Sequence, residues 1–129
     1  MSSSLKFLIL AAIIFFGVKY GGQYLLSNEF ELYADQKKDP ATCEFEIVLG
    51  KLHYMQDDYD KAMMRYAHAV DRCPNSTMAE EAEFETARCL EAKHLRRPAY
   101  DAYVAFTKKY PGTKRARIAD KSAEILQGT

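Results

Sequence analysis

The sequence of 129 residues contains none of the short motifs that identify common enzyme active sites. It has no glycine-rich phosphate loop and no motif that surrounds a catalytic nucleophile. His53, His68 and His94 lack the spacing of metal ligands, so we interpret them as surface or packing residues. The acidic run Asp57 to Asp60 lacks the glycine and the terminal glutamate of a calcium loop. We therefore predict no catalytic, metal or cofactor site.

The chain also lacks net charge, because 18 basic side chains balance 18 acidic ones. The two signs are nevertheless separated, with acidic residues concentrated between Glu29 and Glu85 and basic residues between Arg88 and Lys121. No base-stacking motif accompanies the basic part. We interpret this part as a solvated or docking surface and expect no nucleic-acid partner.

An unbroken apolar run of twelve residues, Phe7 to Val18, lies near the N-terminus. Twelve residues suit the core of a signal peptide, whereas extension to Leu26 gives a stretch long enough to cross a bilayer. No small-x-small cleavage site follows the run, and no cysteine lies near enough for lipid attachment. We therefore predict a membrane anchor in residues 1–26, a transmembrane or signal-anchor helix, with a cleaved signal sequence as the alternative.

The charges on either side of this run predict its orientation. The amino terminus and Lys6 precede it, whereas acidic Glu29 and Glu31 follow Lys19. This bias favours a single-pass membrane protein with an extracytoplasmic, periplasmic domain.

Residues 27–39 are predicted to form a linker or an amphipathic helix. Leu26, Phe30 and Tyr33 are spaced four and three apart, as on one face of a helix. The segment is interpreted either as a stalk or as a capping helix packed on the next domain.

Residues 40–127 have the spacing of helical hairpins. The positions that define a 34-residue tetratricopeptide repeat are occupied by Leu49, Gly50, Ala62, Tyr66, Ala69 and Pro74. A second copy, in which Pro111 follows Pro74 by 37 residues, contains Ala87, Ala99, Tyr103 and Pro111. The segment resembles this repeat family. The resemblance implies an all-α solenoid of helical hairpins, with two repeats and a C-terminal capping helix.

Helical periodicity and helix-start residues predict how these hairpins are built. The first helix is expected to face its partner through Phe45, Val48, Leu49 and Leu52. The following helices are expected to begin near Asp58, Thr77, Pro98 and Thr113.

The phrases CPNSTMAEEAEFETA and YPGTKRARIADKSAEIL share a proline, a small polar residue and an alanine-rich helix start. In this they resemble the extended repeats of bacterial outer-membrane assembly lipoproteins and of the periplasmic coordinator of the Tol-Pal system. Both families bind protein partners outside the cytoplasmic membrane. The resemblance implies a protein-binding role in envelope assembly or maintenance.

The resemblance also implies a partner-binding groove on the first helix of each pair. The lining positions are Glu44, Ile47, Lys51, Tyr54, Met55, Glu81, Phe84, Arg88, Glu91, Ile118, Lys121 and Ile125. The apolar residues Ile47, Tyr54, Phe84 and Ile118 are expected to be exposed there, so the groove should be covered. Lys51, Arg88 and Lys121 favour a helix or extended peptide with acidic groups among its apolar anchors. The alternatives are that the Tyr24–Lys38 segment fills the groove, or that a second copy does so in a homo-oligomer.

Three cysteines leave two redox states open. Cys43 opens the first helix of the first repeat and Cys73 closes the second, so antiparallel packing brings these ends together. In an oxidising compartment the two can form a disulfide, with Cys89 as a small buried residue. Three reduced cysteines are the alternative, because the sequence does not show the Cβ approach that a disulfide needs.

These observations predict a membrane-anchored protein-protein interaction scaffold that is not an enzyme. One alternative is a structural subunit packed permanently in a larger membrane complex. Another is a secreted soluble adaptor released by signal cleavage.

Overall fold

The structure, a computed structural model, describes residues 3–25 and 40–128. The described residues form six helices and no strand, which confirms the predicted all-α class. The helices are α1 (Ser3–Leu25), α2 (Pro40–Met55), α3 (Tyr59–Arg72), α4 (Thr77–Ala92), α5 (Arg96–Lys109) and α6 (Lys114–Gly128). Helix α1 belongs to one compact unit and α2 to α6 belong to another. The predicted linker of residues 27–39 lies outside the described residues.

No helix among the described residues has the length and apolar character needed to cross a membrane. The prediction of a single-pass membrane protein is therefore wrong. The extracytoplasmic orientation was inferred from that span, so that prediction is wrong as well.

Helices α2 to α6 repeat at an interval of 37 residues. Helices α2, α4 and α6 begin at Pro40, Thr77 and Lys114, which are 37 residues apart. Helices α2 and α4 each contain 16 residues, and α3 and α5 each contain 14. The backbone at Cys73 (φ −127°, ψ 62°) is reproduced 37 residues later at Tyr110 (φ −123°, ψ 58°). The predicted alignment of the two copies is therefore correct.

Each turn between these helices contains one residue with left-handed backbone. The φ angles lie between 57° and 80° at Asp57, Asn75, His94 and Gly112. Glycine adopts this conformation freely, and aspartate, asparagine and histidine are the side chains found there most often among the others. The turn residues of the sequence therefore match the backbone that the repeat requires.

Hydroxyl groups cap the helices that follow Pro74 and Pro111. The backbone N–H of Ala116 donates to Oγ1 of Thr113 over 3.0 Å, which confirms Thr113 as a helix cap. At the equivalent place, Oγ of Ser76 accepts from the N–H of Ala79 over 3.1 Å. Helix α4 is thus capped by Ser76, one residue before the predicted start.

The residues that precede α3 and α5 have the same backbone conformation, but only the one before α3 caps its helix with a side chain. Asp58 caps α3 as predicted, because its carboxylate accepts from the N–H of Lys61 over 3.4 Å. Helix α5 begins at Arg96 after Leu95, which makes no side-chain cap. The prediction that Pro98 opens α5 is therefore wrong. Proline is tolerated inside the first turn because the N–H it lacks would have no intrahelical partner.

Two apolar clusters form the core of the second unit. Tyr66, in the first cluster, and its repeat equivalent Tyr103, in the second, are almost completely buried. A Cβ atom on Gly50 would lie only 2.8 Å from Cδ1 and Cζ of the Tyr66 ring. The two helices therefore approach closely at Gly50, and the Tyr66 ring is the group that requires a glycine there.

Helix α2 is rotated about its axis relative to the predicted packing. Phe45 and Val48 are 46% and 52% exposed, so the prediction that they face α3 is wrong. Glu46, Ile47 and His53 are buried in their place. The reason is that the carboxylate of Glu46 contacts cationic side chains of α3, which draws a polar residue into the hairpin.

The N-terminal part of α2 is joined to the end of α3 by a disulfide. Cys43 and Cys73 form the bond, and their Cα atoms are 6.4 Å apart. Of the two redox states that the sequence leaves open, the structure therefore contains the oxidised one. Cys89 is a free, buried thiol, and burial raises its pKa to about 12, which keeps it protonated and unreactive.

Replacing both Cys43 and Cys73 by serine is expected to lower the free energy of unfolding by about 3 kcal/mol. The physical reason is that the bond restricts a loop of about thirty residues in the unfolded chain. Urea unfolding with and without reductant measures the effect, and reductant should leave the double variant unchanged. Three free thiols in the denatured, unreduced protein would contradict the bond.

Candidate functional site

The predicted groove residues lie on α2, α4 and α6, at equivalent positions of the repeat. Glu44, Glu81 and Ile118 follow one another at 37-residue intervals. The same interval relates Lys51, Arg88 and Ile125. Helix α2 packs against α4 as well as against α3, so the first helices of the two hairpins are direct neighbours.

A surface cavity of about 340 Å³ lies where α2, α4 and the start of α6 meet. Its lining residues are Glu44, Ile47, Val48, Lys51, Thr77, Met78, Glu81 and Arg115. Four of them were predicted as groove residues: Glu44, Ile47, Lys51 and Glu81. We call this surface the α2–α4 groove.

One carboxylate connects the three helices of the α2–α4 groove. Glu81 accepts a hydrogen bond from the ammonium group of Lys51, and its other oxygen lies 3.6 Å from Nη2 of Arg115. Nη1 of Arg115 is 3.5 Å from Glu80. The side chains of Lys51 and Glu81 are 49% and 25% exposed, so water screens their ion pair. A ligand carboxylate can therefore compete for these cations at modest cost.

Two further predicted residues, Tyr54 and Arg88, contact each other near the ends of α2 and α4. The guanidinium carbon of Arg88 lies 5.3 Å from the centre of the Tyr54 ring, which is a cation-π distance. Nη1 of Arg88 also lies 3.1 Å from Glu85. Burial opposes the charge of Arg88, but the neighbouring Glu85 carboxylate raises its pKa above the ordinary value. The cation is thus partnered within the chain.

Two of the apolar groove residues are core residues. Ile47 and Phe84 are only 4% and 7% exposed, so the prediction of exposed anchors there is wrong. The centre of the Phe84 ring lies 5.5 Å from that of Phe106 and 6.2 Å from that of Tyr103. Tyr54 is half-buried. Lys121, the repeat equivalent of Ile47 and Phe84, is exposed on α6.

The remaining predicted residues divide between structural and exposed positions. Glu91 accepts a hydrogen bond from the hydroxyl of Tyr103 over 2.5 Å. Burial, together with this carboxylate, raises the pKa of Tyr103. Met55 is 79% exposed at the end of α2, and Ile118 and Ile125 are 45% and 60% exposed on α6.

Sequence reasoning missed several groove residues, namely Val48, Thr77, Met78 and Arg115. Val48 was assigned to the helix interface because its spacing fits either face of α2.

A second polar cluster is buried inside the first hairpin, away from the groove. The Glu46 carboxylate accepts a hydrogen bond from Nη1 of Arg72, and its other oxygen lies 3.5 Å from Nη1 of Arg65 and 3.8 Å from Nδ1 of His68. Glu46 is completely buried. The repeat places a simpler, exposed pair, Glu83 and Lys109, at the equivalent positions. We interpret the Glu46 cluster as structural, because it lies between packed helices.

One of the three histidines, His53, is buried. Burial, followed by the charge of Arg65, lowers the pKa of His53, which keeps that ring neutral. Within residues 3–25 and 40–128, no three side chains of metal-binding type converge.

No protein-family model matches this chain, and no curated protein is significantly similar to it. The likeness to tetratricopeptide repeats therefore remains a prediction from the residue pattern.

Proposed function

We propose that residues 40–128 form a TPR-like protein-interaction domain that binds a partner segment in the α2–α4 groove. The observation that carries the proposal is the cavity of about 340 Å³ between neighbouring first helices, whose lining includes exposed Val48 and the cations Lys51 and Arg115. Support for the repeat class comes from the 37-residue interval in helix starts, helix lengths and turn geometry.

The groove favours a segment that combines an apolar anchor with a carboxylate. Val48 and Met78 offer apolar surface, and a ligand carboxylate that replaced Glu81 would meet both Lys51 and Arg115. A helix or an extended peptide presents such groups at regular spacing. The groove is therefore proposed as a recognition surface rather than a site of chemistry.

The test places a photoreactive amino acid at position 48 in the full chain and irradiates cells that produce it. Position 64 is the matched control, because Met64 is also an exposed apolar residue, at 41%, but lies on α3. We expect one discrete protein adduct from position 48 and none from position 64. The combined change Lys51→Glu and Arg115→Glu should reduce the adduct at least tenfold while the thermal unfolding midpoint stays near that of the parent.

Equal adducts from positions 48 and 64, or no adduct from position 48, would contradict the proposed groove. An adduct composed of two copies of the chain would show instead that the groove binds a second copy.

A further inference from the structure

Helix α6 carries a stripe of exposed residues on the side opposite its core contacts. The buried face consists of Ala116, Ala119 and Ala123. The exposed stripe has helical spacing and consists of Lys114, Ile118, Lys121 and Ile125. We call it the α6 stripe.

The α6 stripe differs from its counterparts in the earlier repeats. The positions of Ile118 and Ile125 hold a glutamate and a basic residue in both α2 and α4, namely Glu44 with Lys51 and Glu81 with Arg88. Ile118 and Ile125 are 45% and 60% exposed. A helix that ends a solenoid ordinarily presents a polar outer face. Two exposed isoleucines at these positions differ from that pattern and would lower the solubility of the protein, unless the surface binds a partner.

The cations beside these isoleucines are not neutralised within the described part of the chain. Many other basic residues of the second unit have a carboxylate partner, including Lys51, Arg88, Lys93, Lys109 and Arg115. Lys114, Arg117 and Lys121 form no ion pair with an acidic side chain of residues 40–128. Asp120 and Glu124 occupy neighbouring rows of the helix rather than the α6 stripe.

Two of these three cations, Lys114 and Arg117, also lie in the first turn of α6, where positive charge is unfavourable. The first turn of α6 contains Lys114, Arg115 and Arg117 and no acidic residue. A helix N-terminus carries partial positive charge, so cations there repel it and negative groups are favoured. Negative charge supplied from outside would be favoured by both the side chains and the helix end.

We propose that the α6 stripe binds an acidic amphipathic helix of a partner protein, in which apolar residues at three- and four-residue spacing are flanked by carboxylates. The isoleucines would receive the apolar residues, and Lys114, Arg117 and Lys121 would pair with the carboxylates. The inference rests on the proposed function, since it names the chemistry of a partner that extends along the first helices of the repeats.

The test measures binding of two labelled helical peptides of 18 residues to the full chain by fluorescence anisotropy. Both peptides carry leucines at three- and four-residue spacing; one has glutamate and the other lysine at the flanking positions. We expect the glutamate peptide to bind at least tenfold more tightly, and its affinity to fall at higher salt.

Three variants distinguish the source of the affinity. Ile118→Ser with Ile125→Ser should weaken the glutamate peptide at least tenfold, and Lys114→Glu with Lys121→Glu should reverse the preference between the peptides. Met64→Ser with Lys108→Glu, which changes exposed residues of α3 and α5, should alter neither affinity.

Absence of glutamate-peptide binding, equal affinity for the two peptides, or affinity that survives the isoleucine changes would overturn the inference. Concentration-dependent dimerisation abolished by Ile118→Ser would also overturn it, in favour of a second copy of the chain. These outcomes leave the adduct from position 48 unaffected, so failure at α6 is distinguishable from failure of the α2–α4 groove.

Discussion

Replacement of Glu46 by alanine is expected to lower the free energy of unfolding by about 3 to 5 kcal/mol. The Glu46 carboxylate is completely buried and lies against Arg72 and Arg65, whose side chains are only 8% and 3% exposed. Its removal takes away the negative charge that compensates these cations where water cannot replace it. Urea unfolding of the purified chain measures the change.

The repeat supplies a matched control for this prediction. Glu83, the equivalent of Glu46, lies 2.5 Å from the ammonium group of Lys109, and these side chains are 25% and 53% exposed. Because water screens that pair, Glu83→Ala should cost only about 1 kcal/mol or less. Similar losses at Glu46 and Glu83 would contradict the role given to burial.

A second control separates charge from shape. Changing Glu46 to leucine together with Arg65 and Arg72 to methionine removes the ions while keeping apolar volume. Such replacements are often neutral or stabilising, so most of the loss seen with Glu46→Ala should be recovered. Recovery would identify the penalty as that of uncompensated charge rather than of a cavity.

Replacement of Gly50 by valine is expected to destabilise the first hairpin by about 3 kcal/mol. A Cβ atom at this position would already lie 2.8 Å from two ring atoms of Tyr66, which is completely buried and cannot swing aside. Helix propensity acts in the opposite direction, because glycine costs about 1 kcal/mol relative to alanine inside a helix. Gly50→Ala should therefore be milder than Gly50→Val.

The cause is tested by removing the ring. In a protein that carries Tyr66→Ala, Gly50→Val should cost little or even stabilise, since the side chain then fills vacated space. The thermal and urea unfolding of the two single variants and the double variant provide a double-mutant cycle. Additive losses would show that Gly50 is required for a reason other than contact with Tyr66.

Several features of the fold could be predicted because they depend on local chemistry. Pro74 and Pro111 end helices, and Asp58 and Thr113 begin them, so hairpin boundaries follow from the order of these residues. The 37-residue interval between the two repeats could also be predicted, because Pro74 and Pro111 are that far apart in the sequence. Pro98 misled the prediction at α5, because backbone geometry shared with the turn before α3 sets that helix start.

The sequence predicted which helix positions lie together in the candidate site, but not how exposed their side chains are. Glu44, Lys51 and Glu81 do meet in one groove, since the repeat interval specifies equivalent positions. The interval does not specify how far each helix is rotated about its axis. Ile47 and Phe84 were therefore expected to be exposed, although both are almost fully buried.

The sequence by itself determined that residues 40–127 are helical, that they repeat, and that Asp58 and Thr113 precede helices, because periodicity and capping groups act over a few residues. Only the tertiary structure decided that Glu46 lies inside the hairpin while Phe45 and Val48 face outward. A buried carboxylate is stable only when cations from another helix surround it, and the two that do so, Arg65 and Arg72, are 19 and 26 residues away in the sequence. This long-range pairing sets the rotation of α2 about its axis, and the rotation determines which residues of α2 line the α2–α4 groove.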